Sequence, residues 1–160
     1  MIGEKQALLL DMNSTFMFGE DRFDAHRDCL LRLSRTHQLG LVSNIWARKA
    51  AWLAEFERAG IRNIWRTVVF SSDSRSIKPS LRLFHQALAA FDSAPCEVVF
   101  VGDNLRVDIE PAKALGLATV WITAGDQSHP RADRIVPTLL ALESLPAACG
   151  PLSARSTLHR

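Results

Sequence analysis

Ala7-Leu8-Leu9-Leu10-Asp11-Met12-Asn13-Ser14-Thr15 runs from four apolar residues into a carboxylate and three further polar side chains. An apolar run with no polar alternation fits a strand covered on both faces, and it is too short for a membrane span or a signal peptide. The pattern recurs downstream. Residues 39–43, 67–71, 97–102 and 117–123 are further strand candidates, with a shorter sixth at 134–136. Amphipathic stretches separate these runs, which predicts an α/β fold.

The helical stretches have readable ends. Asp24 caps a predicted helix to about residue 37, and a second over 47–59 is closed by Gly60. Leu81, Phe84, Leu88 and Phe91 follow Pro79 at helical spacing and read as a core stripe. Pro111 argues against a helix beginning at Leu105, so the reading starts that helix at Asp108 and makes Asp108 its N-cap. Pro137 opens a last helix to about residue 145, and residues 149–160, without apolar periodicity, read as a loose tail.

The length of 160 residues suits one domain, here residues 1–148, able to bury roughly 70% of the unfolded chain's surface. A content of 48% hydrophobic and 22% charged residues argues against disorder and coiled coil. Nineteen basic against 17 acidic residues leave a net charge of +2, too little to draw a nucleic acid or an anionic membrane. The three cysteines, Cys29, Cys96 and Cys149, are far apart and fit reduced thiols of a cytoplasmic protein better than a disulfide framework or a zinc site. His26, His37, His85, His129 and His159 lack ligand spacing and receive no role. Trp46 is read onto the buried face of its helix and Trp121 into a strand, whereas Trp52 falls nearer a polar side.

In a parallel sheet the ligand site lies outside the carboxyl ends of the strands. Asp11 closes the first strand, Ser43 and Asn44 the second, and Asp103 follows Gly102 at the fourth. Lys78 precedes the helix after strand three, and Asp108 follows closely on Asp103. Carboxylates gathered at one rim repel unless a cation or shared protons neutralise them, which points to a hard divalent ion, Mg²⁺. Lys78 and Ser43 would then hold phosphate, with Asn44 beside them, and Asp11 is left as the nucleophile. Taken singly, Asp11 is a turn former and Asp103 and Asp108 are helix caps; it is the ordered set that carries the functional reading.

These segments resemble the motifs of the haloacid dehalogenase-like (HAD) hydrolases. Leu8 to Thr15 is similar to their first motif, an apolar strand ending in Asp-x-Asp-x-Thr, and Leu41-Val42-Ser43-Asn44 to their second. Lys78-Pro79 with Phe84 resembles the third, and Val101-Gly102-Asp103-Asn104 through Asp108 the fourth. The resemblance spans about residues 7–145 and implies a Rossmann-like three-layer sandwich around a mainly parallel sheet, and a Mg²⁺-dependent hydrolase working through an aspartyl-phosphate. By that likeness Asp11 attacks phosphorus and binds the metal, the carbonyl of Asn13 is another ligand, and Asp103 completes the set. Asp108 supports the metal through water or orients Lys78, Ser43 binds the transferring phosphoryl group, and Lys78 neutralises developing charge. A signalling receiver domain also gathers acids, a hydroxyl and a lysine around Mg²⁺, but it carries its acidic pair after strand one and its acceptor Asp on strand three, an order this chain lacks.

One position departs from the pattern. Phosphatases of this family place a second Asp two residues after the nucleophile, where it protonates the leaving group and activates water; here it is Asn13. An amide cannot do this, and losing a general acid/base costs roughly 10²–10⁴ in rate. Activity is then expected to be low or restricted to good leaving groups such as acyl or aryl phosphates, and three readings compete: a slow phosphatase with leaving-group or water assistance from elsewhere, a different chemistry, or a module that binds metal and phosphate without turnover. The 32 positions from Asp11 to Ser43 and the 35 from Ser43 to Lys78 leave no room for a cap domain. Capless relatives use an oligomeric neighbour as a lid or act on large substrates, so the expected partners are a phosphorylated small molecule or macromolecule and a second copy of the chain. Residues 16–23, with Phe16, Met17, Phe18 and Phe23 around Gly19, read either as a flap over the site or as a hairpin packed on its own core.

Overall fold

The computed structural model describes residues 6–17, 23–124 and 129–145. Six strands form one sheet: β1 (Ala7–Leu10), β2 (Gln38–Ser43), β3 (Trp65–Phe70), β4 (Val98–Gly102), β5 (Ala118–Ile122) and β6 (Arg134–Val136). Their order is β3-β2-β1-β4-β5-β6 and every pair is parallel. All six predicted strands are present, the sixth with the predicted ends and the others within two residues of theirs. The order reverses between β1 and β4, and that switch point opens a crevice at their carboxyl ends.

Burial explains the apolar runs. Leu8 and Leu10 face a core layer with Phe16, Phe23, Leu30, Phe56 and Trp65, while Ala7 and Leu9 face the other layer with Leu83, Phe84, Phe91 and Phe100. Both faces of β1 are fully buried, and each of its leucines contributes roughly 1.5–3 kcal/mol by leaving water. Helices α1 (Asp24–Leu33) and α2 (Lys49–Arg58) pack on the first layer; α4 (Leu81–Leu88) and α5 (Glu110–Ala114) pack on the second, and the single turn α3 (Ser71–Ser74) follows β3. Gly60 closes α2 with φ +71°, the left-handed backbone its position after the helix requires. No helix among the described residues is long and apolar enough to cross a membrane.

Several expectations need correction. Asp24 lies in the first turn of α1 rather than capping it, since Phe23 occupies the cap position. Of the predicted stripe, Phe84 and Phe91 are buried and Leu88 packs against them, joined by Leu83 and Ala87, whereas Leu81, the first residue of α4, is exposed. The helix placed from Asp108 starts earlier. Asn104 is its cap, accepting from the Arg106 and Val107 amides through Oδ1, and a wide turn over Leu105–Ile109 leads into α5. That turn is bonded five residues apart, Ile109 N–H to the Asn104 carbonyl at 3.3 Å, so the helix passes into Pro111 without the break a regular turn would suffer. The last helix is a 3₁₀ segment, Leu139–Ser144. The tail and Cys149 lie outside the described residues.

The flap reading also fails at both ends of its segment. Phe16 and Phe23 are buried, with ring centroids 5.9 Å apart, and Phe16 stacks on Trp65 at 5.8 Å. Phe56 joins Phe23 at 5.3 Å. Aromatic rings at this spacing stabilise one another beyond their burial, so the chain leaving Asp11 is anchored in the core. Residues 18–22 are outside the described set.

Candidate active site

The chain turns sharply after β1. Asp11 extends the ladder by donating its amide to the Val101 carbonyl at 2.9 Å, and the amides of Thr15, Phe16 and Met17 then converge on the Met12 carbonyl at 3.2–3.3 Å. Ser14 takes the left-handed conformation at φ 54°. This tight loop fixes Asn13 next to Asp11, with its ends held by the buried side chains of Met12 and Phe16.

Asp11, Ser43, Lys78 and Asp108 meet at the switch point. Ser43 Oγ donates to Asp11 Oδ1 at 2.7 Å, and Lys78 Nζ donates to the same oxygen at 2.6 Å. Lys78 Nζ also reaches Asp108 Oδ1 at 2.5 Å, while Asp108 Oδ2 accepts the Asn104 amide at 3.1 Å. The Lys78 and Asp108 side chains are 2% and 1% exposed, so these are charge-assisted bonds out of water, the stronger kind. Gly102 makes room for them. A Cβ there would stand 2.7 Å from Asp108 Oδ2, so a larger residue would displace the carboxylate.

Asp103 completes an acidic trio. Asp11, Asp103 and Asp108 each offer an oxygen within 4.8 Å of the others, and the Trp121 indole N–H holds the Asp103 carbonyl at 2.8 Å. One ammonium faces three carboxyl groups. Burial pushes Asp108 up to about 7, with the Asp11 charge acting in the same direction and Lys78 against it. Burial raises Asp103 as well, and Asp11 adds to it. Burial opposes the charge on Lys78, but Asp11 and Asp108 outweigh it and hold the ammonium above the ordinary lysine range. A surplus of negative charge on an oxygen-only donor set suits a hard divalent cation.

Asn44 has a different place from the one read in the sequence. Its side chain is occupied by the backbone of Lys78: Oδ1 accepts the Lys78 amide at 2.8 Å and Nδ2 donates to the Lys78 carbonyl at 3.2 Å. The Asn44 carbonyl in turn accepts Asn13 Nδ2 at 3.2 Å. Asn44 therefore ties the exit of β2 to the lysine and to the first-strand loop, ahead of the cis Lys78–Pro79 peptide. An Asn at a strand end with no helix to cap is the sequence signal for such a clamp, and it reads equally well as a ligand. Trp46 is the second departure. It is 97% exposed, because α2 begins at Lys49 and Arg48, in extended backbone, precedes it.

Residues 77–148 match the family model described as HAD-hydrolase-like, a span that includes Lys78, Asp103 and Asp108. Asp11 and Ser43 lie outside that span and rest on the fold and the contacts above. The chain has the fold of a HAD phosphatase from Thermococcus onnurineus, with a TM-score of 0.66 and 20% identity, covering 87% of this chain and 96% of that one. The family match covers just under half of the chain, and the structural likeness shows a shared fold. Among curated relatives, a glyceraldehyde 3-phosphate phosphatase from Pyrococcus furiosus is 43% identical over 100 residues, 62% of this chain and 41% of its own length. A phosphoserine phosphatase from Thermus thermophilus is 39% identical over 67 residues, 42% of this chain and 27% of its own. The chain thus spans less than half the length of each of these relatives.

Proposed function

We propose that this HAD-like chain is a capless, Mg²⁺-dependent phosphohydrolase that acts on phosphorylated small molecules through an aspartyl-phosphate on Asp11, slowed by Asn13. The observation that carries the reading is the meeting of Lys78 Nζ and Ser43 Oγ on one oxygen of Asp11, at 2.6 and 2.7 Å. Phosphatase names among the partial relatives agree with it.

Asp11, Asp103 and the Asn13 carbonyl would hold the ion; Asp108, with both oxygens already accepting hydrogen bonds, supports the site by orienting Lys78. Bound there, Mg²⁺ supplies positive charge against Asp11 and the phosphoryl oxygens. Ser43 and Lys78 turn from Asp11 toward the incoming phosphoryl group as two donors, and Lys78 stays charged because Asp108 remains beside it. Asp11 attacks phosphorus, and water then hydrolyses the acyl phosphate. Asn13, its amide held on the Asn44 carbonyl, carries no proton for either step.

The test is turnover of an aryl phosphate with Mg²⁺. Asp11→Asn is expected to bring the rate to background while circular dichroism stays native. No turnover by the unaltered chain, together with measurable Mg²⁺ binding, overturns the enzyme reading and leaves a binding module.

A further inference from the structure

Three of the four large apolar side chains exposed among the described residues, Trp46, Ile77 and Leu81, sit on the two segments that deliver Ser43, Asn44 and Lys78. Trp46 follows Asn44 by two residues, and Ile77 immediately precedes Lys78. The bonds from the Asn44 side chain to both backbone polar groups of Lys78 join these segments at the site. Trp52, Trp65 and Trp121 are at least partly buried, so the open indole is peculiar to this rim. Exposing an indole forgoes a large hydrophobic gain unless a ligand covers it.

Asn13 limits the ligand from the other side. Its amide donates to the Asn44 carbonyl and has no proton to give a departing oxygen. The leaving group must therefore be stable as an anion.

Resting on the phosphohydrolase reading above, we propose that the site takes phosphate monoesters of acidic aromatic alcohols, with Trp46 as the surface that receives the ring. The carboxylate oxygen of Asp11 forms the new bond to phosphorus, and the bond from phosphorus to the aryl oxygen breaks with its electron pair on the phenolate, which takes a proton from solvent. Water then attacks the phosphorus of the acyl phosphate, giving inorganic phosphate and restoring the Asp11 carboxylate. With no ionisable side chain at position 13 to activate that water, the second step is the slower one. Leaving-group chemistry therefore appears in kcat/KM, and phenolate is released in a burst.

The experiment measures kcat/KM with Mg²⁺ for phenyl phosphates of graded phenol acidity, for glycerol phosphate and for acetyl phosphate, whose good leaving group carries no ring. The full chain is compared with Trp46→Ala, Trp46→Phe and Asn13→Asp. Expected are a steep rise with phenol acidity, glycerol phosphate slower by roughly 10²–10⁴, and a flattened dependence in Asn13→Asp. Trp46→Ala raises KM for the phenyl phosphates about tenfold and leaves acetyl phosphate unchanged, and Trp46→Phe restores most of the loss. Rates independent of the leaving group in the unaltered chain overturn this inference while the hydrolase reading stands. So does an equal effect of Trp46→Ala on acetyl phosphate, or a change confined to oligomeric mass, which would assign the indole to a second copy. No turnover of any phosphate removes the hydrolase reading and this inference with it.

Discussion

Ser43, Lys78 and Asp108 lie almost wholly out of water, each in a charge-assisted bond, whereas Trp46 and Ile77, on the same segments as the first two, stand 97% and 59% exposed. The buried side holds its charges by mutual contact in a low-dielectric setting, where an ammonium between two carboxylates has little freedom. The open side carries apolar surface and, at Asn13, a side chain that does not ionise. The proposed phosphohydrolase therefore has position built into the half that would grip phosphate, and no ionisable side chain at Asn13. The two can be separated by mutation.

The largest effect is expected at the join between them. Asn13→Asp would set a carboxyl against the Asn44 carbonyl, which favours its protonated form and so makes it an acid. A gain of roughly 10²–10⁴ in kcat/KM on an alkyl phosphate is expected. An unchanged rate would mean that the buried half, not the missing acid, limits turnover.

Stability tests the anchor of that loop next. Phe16→Ala removes the ring that links the Asp11 loop to Trp65 and Phe23, at a cost of about 3–5 kcal/mol in urea unfolding. A loss well below about 1 kcal/mol would return the segment to a flap over the site.

A smaller change separates position from charge. Gly102→Ala places a methyl against Asp108, with a stability cost of about 1–3 kcal/mol. Activity should fall further than this stability loss explains, because Asp108 orients Lys78; equal activity in the folded variant would remove Asp108 from that role.

The slightest shifts are in pH dependence, where two aspartates run in opposite directions. Burial raises Asp108 to about 7, above the unfolded range, so without a divalent cation this group's contribution declines as pH rises toward that value. Asp133 is the reverse. Burial would raise it, but bonds from Lys113 and from the Thr119 amide and hydroxyl hold it below the ordinary carboxylate range. Its contribution is present above that range and is lost as pH falls through its folded value. Melting temperatures in chelator across both ranges should lose the first slope in Asp108→Asn and the second in Asp133→Asn, and Mg²⁺ should abolish only the first.

The linear chain determined the six parallel strands, because both-face burial leaves a continuous apolar run that needs no knowledge of neighbours. It also determined the ordered polar residues at the strand ends, since the carboxyl edge of such a sheet is where a site can form. Only the tertiary structure decided what each of those residues touches. Asn44 proved to be a clamp on Lys78 because β2 and the segment after β3 bring an amide against one peptide unit, a meeting 34 residues apart in sequence. Asn104, not Asp108, caps the turn after β4, because a wide turn and the glycine at 102 send the Asp108 carboxylate inward to the lysine. Trp46 and Phe16 exchanged the places their hydrophobicity suggested, one at the open rim and one in the core. Apolar character says that a side chain gains by leaving water; which surface covers it depends on where helices begin and loops close, and those are long-range facts.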